Sequence, residues 1–377
     1  MNGANLKAAY RTAVTEAFPE RIALEFGERR VEYTKVAWPT DGTGLHDTAA
    51  VGLRYGENPH QPAAFYAPPG ASALGALTWL KLGKGGPSWI NLADIEHAMR
   101  ILRFFADPAA VVMKHLNPSG AACRRGAQGL REVYAAARDC DARAAFGGVV
   151  VLNETVDEAT AEEIGTTYVE VVAAPGLTPG ALEILGRKKD LRIASIADPR
   201  TLPRFLGDDT GGAVDLKVAT DGSLLVQMPY LTRIRSAEDF MLNPRLEDGT
   251  RAELIPTPAQ LFDLLLAWYV NTGVRSNGIV FARDGRTLAV GTGEQERVGA
   301  VEQAIAKARQ KGHDLRGAVM SSDAFFPFRD AVDACAAAGV SAIVQPGGSV
   351  RDGEVVAACN EHGIGLVFTG ERCFGHF

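Results

Sequence analysis

No Cys-x-x-Cys pair occurs in this 377-residue chain, and its five cysteines (Cys123, Cys140, Cys335, Cys359 and Cys373) are odd in number and widely spaced. That excludes a disulfide framework or a zinc knuckle, so they read as reduced core or surface thiols. No run of about 18 apolar residues is present, which excludes a membrane-spanning helix. The opening MNGANLKAAYRTAVTEAF carries charges every few residues and lacks the apolar stretch of a signal peptide, so the expected location is the cytoplasm. No block of Lys or Arg interrupts the mixed-sign pattern of a chain whose formal charge is −6, which argues against nucleic-acid binding. An anionic ligand must therefore be held by a few placed cations. Neither a Walker pattern nor a dinucleotide fingerprint is found; GTGE (291–294) and GGS (347–349) read as glycine turns.

What is present is ordinary globular material, 46% apolar and 22% charged, long enough for two or three domains or packed subdomains. NLADIEHAMRILRFFADP predicts a helix from Asn91 with Ile95, Met99, Leu102 and Phe105 on one face, stopped by an Asp-Pro pair. AVVM (110–113) reads as a buried strand ending in the turn KHLNPSG. A helix over 127–139, the strand FGGVVVLN, a helix capped by Thr155 or Asp157, and the segments VEVVAAPG, GALEILGRK and LRIASI continue an α/β alternation. Gly and Asp clusters over 208–250 suggest hairpins. Thr257-Pro258 starts a strongly apolar helix, and Asp-Gly after IVFAR marks a further hairpin. Helices at 297–311, 329–338 and 353–362 then alternate with strands near 317–321, 341–345 and 364–368. The division predicted is a lead-in over 1–52, a first subdomain over 53–205, a connecting hairpin region over 206–255 and a second subdomain over 256–377. The two halves are similar in size, yet no sequence repeat joins them.

Three segments can carry chemistry. In Lys114-His115-Leu116-Asn117-Pro118-Ser119-Gly120 a buried strand delivers two adjacent titratable groups to its end, where ligand sites form in open α/β sheets. A His there can act as general base and a Lys can steady an oxyanion; a satisfied polar turn is the alternative. LRYGENPHQ (53–61) offers a cation, a phenol and an Asn-Pro turn, suited to a phosphorylated ligand or to a structural corner. SSDAFFPFRD (321–330) reads as a core plug whose aromatic wall could also stack a planar ring. His97 and His362 read as helix or surface residues rather than ligands.

Taken in order, LRYGENPHQ, MKHLNPSG, FGGVVVLN, VEVVAAPG, RSNGIVFA, SSDAFFPFRD, QPGGSVRD and ERCFGH resemble the transformylase half of the bifunctional purine biosynthesis family. That half formylates an aminoimidazole carboxamide ribonucleotide (AICAR) with 10-formyltetrahydrofolate, giving FAICAR. The match runs from about Leu53 to the C-terminus. The resemblance implies an α/β fold of two cytidine-deaminase-like subdomains and a homodimer with active sites at the subunit interface. It implies Lys114 and His115 as the catalytic pair, with Asn277 orienting the His. Arg54, Tyr55 and Arg372 would hold the nucleotide, Gly148 and Glu170 would lie near its base and ribose, and Arg297, Phe325 and Asp330 would complete the pocket. Folate would lie beside Phe146 and Gly347. Potassium is implied near the C-terminal segment, as a structural ion, with no metal essential to catalysis.

Ser119 stands where relatives often carry Cys or Ala, and Phe377 follows His376 as an extra terminal residue. By the resemblance a cyclohydrolase domain of about 190 residues would precede Leu53, and the residues before it are too few to form one, so a single step is expected, with a separate IMP cyclohydrolase consuming the product. A zinc deaminase would share the implied fold, but its His-x-Glu and Pro-Cys-x-x-Cys motifs do not occur. A non-catalytic paralogue that binds nucleotide or folate as a sensor or scaffold is the alternative from another class.

Overall fold

A computed structural model describes residues 15–39, 50–70, 72–83 and 85–376. Contacts divide the chain into two units, Met1–Thr201 and Leu202–Phe377.

In the first unit, β1 (Arg21–Phe26), β2 (Arg29–Val36) and β5 (Phe65–Ala67) form an antiparallel sheet, and the short strands β3 (Trp38–Pro39) and β4 (Ala50–Val51) pair with each other. Residues 1–14 and 40–49 of the lead-in lie outside the described residues. Trp38 ties the lead-in to the body of the unit: its ring stacks on Phe65 at 6.0 Å, meets Trp79 edge-on, and its indole N–H donates to the Leu77 carbonyl.

After β6 (Thr78–Lys81) comes α1 (Trp89–Leu102), begun by a reciprocal capping box between Ser88 and Asn91. The helix starts two residues before the sequence signal. It ends before Phe105, which is buried in the turns beyond. The strands β7 (Ala109–Lys114) and β8 (Asn117–Cys123) form a hairpin. Asn-Pro-Ser-Gly is therefore strand and not turn. A bulge explains how proline is accommodated: Val112 pairs with Gly120 and Met113 with Pro118, and the Ser119 hydroxyl donates to the Val112 carbonyl at 3.0 Å. Then follow α2 (Leu130–Cys140), the single turn α3 (Ala142–Ala145), β9 (Val149–Leu152), α4 (Glu158–Gly165), β10 (Val171–Ala174), α5 (Pro179–Gly186) and β11 (Arg192–Ser195). Asp157, rather than Thr155, caps α4 by accepting the Thr160 amide. The strand order is β8-β7-β9-β10-β11-β6, with β9, β10 and β11 parallel and the other pairs antiparallel. Val150, Leu152, Val172 and Ile193 pack with Val133, Tyr134, Ile164 and Leu185 of α2, α4 and α5, while α1 lies against β7 and β9.

In the second unit, β12 (Asp215–Val218) and β13 (Leu224–Gln227) form the hairpin foreseen from the Gly and Asp clusters. After β14 (Met241–Leu242), α6 (Pro258–Asn271) begins at an N-cap Thr257 with proline at its first position, as its sequence dictates. The hairpin of β15 (Ile279–Arg283) and β16 (Arg286–Gly291) turns at Asp284-Gly285. Then come α7 (Arg297–Gln310), β17 (Val319–Ser322), α8 (Asp330–Ala337), β18 (Ala342–Gln345), α9 (Asp352–His362) and β19 (Gly365–Phe368). The order β14-β19-β18-β17-β15-β16 again has three parallel strands, β17 to β19, flanked by antiparallel pairs. Phe281, Met320, Ile343 and Leu366 pack with Val301, Val332 and Cys359 of α7, α8 and α9, while α6 contacts β15 and β17.

The two units thus have one connectivity: helix, hairpin, helix, strand, helix, strand, helix, strand. The doubling sensed in the rhythm is topological, since burial pattern and connection order are kept where residue identities are not. All five cysteines are buried and reduced. No helix among the described residues is long and apolar enough to cross a membrane.

Candidate functional site

The β7–β8 hairpin closes through two residues only. Lys114 pairs with Asn117, and His115 and Leu116 between them both take positive φ, +54° and +62°. That is the type I′ geometry demanded by the right-handed twist of the strands, and it usually takes Asn-Gly or Asp-Gly. Here the sequence places an imidazole and an isobutyl group in the left-handed region, so the tip is strained in order to display them. His115 is exposed at the tip, and the Asn117 side-chain amide donates to its carbonyl at 3.3 Å. The Lys114 ammonium donates to the Gly147 carbonyl at 2.6 Å.

Gly147 and Gly148 lead into β9. A Cβ on Gly148 would lie 2.8 Å from the Met113 carbonyl oxygen and 3.0 Å from that of Ala145, so the approach of β9 to the end of β7 requires glycine. Next to them Phe146 is 63% exposed and tilts against Tyr168 at 5.3 Å. Glu170 follows, its amide bound to the Gly148 carbonyl and its carboxylate accepting from the Asn91 side chain at 3.4 Å.

Arg54 and Tyr55 join this end of the unit through backbone bonds. The Arg54 amide donates to the Pro87 carbonyl, and the Trp89 amide donates to that of Tyr55. The Arg54 guanidinium lies 4.8 Å from the Tyr55 ring and donates to its hydroxyl at 3.1 Å. Buried Arg192, at the start of β11, donates to the Gly86 carbonyl at 2.6 Å. Burial, with the like charge of Arg54 nearby, lowers its guanidinium to about 10. Lys114, Gly148, Glu170, Arg192 and Arg54 therefore gather at the amino ends of β9, β10 and β11. Sites of open α/β sheets ordinarily lie at the carboxyl ends.

The second unit follows the ordinary rule. Asp323, just past β17, accepts the Gly278 amide at 2.9 Å with one oxygen and pairs with Arg297 through the other, and both charged side chains are buried. Arg297 also donates to the Ser322 hydroxyl at 3.2 Å. The guanidinium carbons of Arg297 and Arg372 lie 5.9 and 4.8 Å from the centre of the Phe374 ring. Asn277 is held by the carbonyls of Glu294, at 2.9 Å, and Gln295, at 3.2 Å. In SSDAFFPFRD, Phe326 is the core plug, whereas Phe325 and Phe328 are exposed and Arg351 covers Phe328. Asp330 opens α8 and accepts the Ala331 amide. Gly347 has φ +73°, and a Cβ there would lie 2.5 Å from the Phe368 ring.

Residues 4–307 match the family described as the AICARFT/IMPCHase bienzyme. The chain belongs to that family. It is similar to the bifunctional purine biosynthesis proteins PurH of Magnetococcus marinus (44% identical), Acidithiobacillus ferrooxidans (43%) and Sorangium cellulosum (44%). Each alignment covers 86% of this chain and 58–59% of the relative, so the chain spans less than two thirds of the curated relatives it matches.

In this member of the AICARFT/IMPCHase family, the residues singled out from sequence fall into two groups. Lys114, His115, Phe146, Gly148, Glu170, Arg54 and Tyr55 lie in the first unit; Asn277, Arg297, Phe325, Asp330, Gly347 and Arg372 lie in the second. The sequence reading missed Asp94, Tyr168, Arg192, Asp323 and Phe374. A signal existed for one of them, since Asp323 is a single charge between the strand AVMSS and the aromatic run AFFPF. His97, read as a helix or surface residue, is buried on α1 with Nδ1 2.9 Å from the Ala93 carbonyl oxygen. His362 contacts Asp333 at 2.7 Å. No group of three or more His, Cys, Asp and Glu among the described residues could hold a metal ion.

Proposed function

We propose that this chain acts in purine biosynthesis as a formyltransferase, moving the formyl group of 10-formyltetrahydrofolate to the 5-amino group of AICAR and giving FAICAR. The observation that carries the reading is the strained tip that exposes His115 next to an anchored Lys114, in a chain of this family.

The acceptor amine is a weak nucleophile because its lone pair is delocalised into the imidazole and the neighbouring carboxamide. It gains reactivity as its proton leaves, and a neutral imidazole in hydrogen-bond reach can take that proton near pH 7. His115 is the proposed base. The Lys114 ammonium steadies charge developing on the formyl oxygen and, as the bond from the formyl carbon to the folate nitrogen breaks, helps protonate that departing nitrogen. Arg54 with Tyr55, and in the second unit Arg372 with Arg297, are the cations proposed to contact the phosphorylated nucleotide. The exposed Phe146 ring beside Tyr168 offers a face suited to a flat pteridine. The doubled connectivity supports the reading of two cytidine-deaminase-like subdomains. The homodimer implied by the family is carried forward as part of the same proposal.

Purified protein given AICAR and 10-formyltetrahydrofolate should yield the formamido product. His115→Ala should lower kcat by about 10²–10⁴, the usual weight of general acid–base catalysis, while AICAR still binds by calorimetry. Nucleotide binding without turnover in the unaltered protein would favour a sensor or scaffold instead.

A further inference from the structure

The duplicated connectivity places two aspartates in the same position. Asp94 is the sixth residue of α1 and Asp263 the sixth of α6, and both are buried, at 3% and 4% exposure. Each reaches the two-residue turn of the hairpin that follows its helix. Asp263 accepts the amides of Asp284 at 3.0 Å and Gly285 at 2.8 Å; Asp94 accepts the amide of Leu116 at 2.8 Å. The turns match as well. Asp284 and Gly285 have φ +56° and +76°, against +54° and +62° for His115 and Leu116.

The residues differ in the way that matters. Asp-Gly is the ordinary choice for a type I′ turn and can hold its form with little help. His-Leu is not, because a side chain in the left-handed region crowds its own backbone, and Leu has no polar group to offset this. The second unit keeps the clamp on a turn that hardly needs it. The first unit keeps it on a turn that does, at the tip presenting His115. Burial raises the Asp94 carboxyl, opposed by the Leu116 amide and by His115, His97 and Lys114, the charged or titratable groups around it on the tip, α1 and β7.

We propose that Asp94 is a positioning residue. By holding the Leu116 amide it keeps the turn left-handed, so that His115 stands where proton transfer requires it. This rests on the reading of His115 as the base.

The test uses the full chain and five variants: D94A, D94N, L116G, D94A/L116G and D263A. Losing the clamp in D94A should lower kcat by about tenfold to a hundredfold, the cost of a small misplacement, with AICAR affinity by calorimetry within about twofold of wild type. D94N should retain most activity because its amide oxygen still accepts the Leu116 N–H. D94A/L116G should recover most of what D94A loses, since glycine adopts the turn unaided. D263A, the matched change at a turn without a displayed histidine, should leave kcat unchanged. If D94A does not fold, D94S takes its place. Hydrogen exchange at the Leu116 amide, followed by NMR, should be faster in D94A and nearly unchanged in D94N. That readout needs no turnover, so it judges the clamp even if the unaltered protein transfers no formyl group. Unchanged kcat in D94A, failure of L116G to rescue, an equal kcat loss in D263A, or unchanged Leu116 exchange would each overturn the proposal.

Discussion

Asn153 and Asp323 occupy one place in the two units and differ by a charge. Each follows the first of its three parallel strands. Asn153 accepts the Ala109 amide at 2.7 Å and returns its own amide to the Ala109 carbonyl; Asp323 does the same with Gly278, at 2.9 and 3.1 Å. The remaining side-chain atom sets them apart. The Asn153 amide nitrogen donates to the carbonyls of Phe105 and Asp107, whereas the second Asp323 oxygen holds buried Arg297. The same frame thus locks backbone in one unit and a guanidinium in the other.

Converting the second unit to the first, by Asp323→Asn, should keep the Gly278 bond but leave the Arg297 charge buried and unpaired. Breaking a buried pair from one side costs about 3–5 kcal/mol, whereas removing both charges often costs little. Urea denaturation should therefore show D323N strongly destabilised and D323N/R297M closer to wild type. Equal stability of D323N and the unaltered protein would mean that the pair contributes nothing.

These paired sites also show what the sequence could reveal. The Asp284-Gly285 hairpin and the Thr257-Pro258 helix start were legible because local chemistry and tertiary structure agree there. At KHLNPSG a turn was legible but not its confinement to His115-Leu116, since neither residue prefers that geometry and the clamp on Leu116 lies 22 residues upstream. Asn117-Pro118-Ser119-Gly120 misled for the opposite reason. Its residues signal a turn, but a bulge admits Pro118 and leaves the segment in the sheet. Lys114 and His115 stood out as candidates because two titratable groups end an apolar run. Asp323 was passed over because a single charge has no visible partner in a linear reading, and Arg192 because it follows the charged run RKKD and looks like its continuation.

The exposed cluster on α8 and α9 gives a pH dependence of known sign. The Arg329 guanidinium, and next His362, hold the Asp333 carboxyl at about 2, below its ordinary 3.8. A depressed carboxyl stabilises the fold fully above its unfolded value and loses that contribution as pH falls toward the folded one. For so exposed a pair solvent screening keeps the contribution small. The stability gap between wild type and Asp333→Asn should be present at pH 6 and close between pH 4 and 2. A gap that widens on acidification would contradict this account.

Phe374 offers the sharpest separation of binding from chemistry. Its ring carries Arg372 at 4.8 Å and Arg297 at 5.9 Å, and the His376 ring meets it edge-on at 5.6 Å. It is 40% exposed, so replacing it removes little core. What Phe374→Leu removes is the aromatic face against which two cations are oriented, worth roughly 0.5–1 kcal/mol for each at such a site. If those arginines hold the nucleotide, KM for AICAR should rise by up to about tenfold while kcat stays within about twofold, the pattern of lost uniform binding. Phe374→Tyr, which keeps the face, should restore affinity. Because the ring acts through the guanidinium groups, F374L added to Arg372→Ala should weaken binding by less than the product of the single effects. Steady-state kinetics with calorimetry of AICAR binding reads all four variants. A fall in kcat at unchanged KM in F374L would place Phe374 with the reacting groups, and strict additivity with R372A would show that it does not act by orienting Arg372.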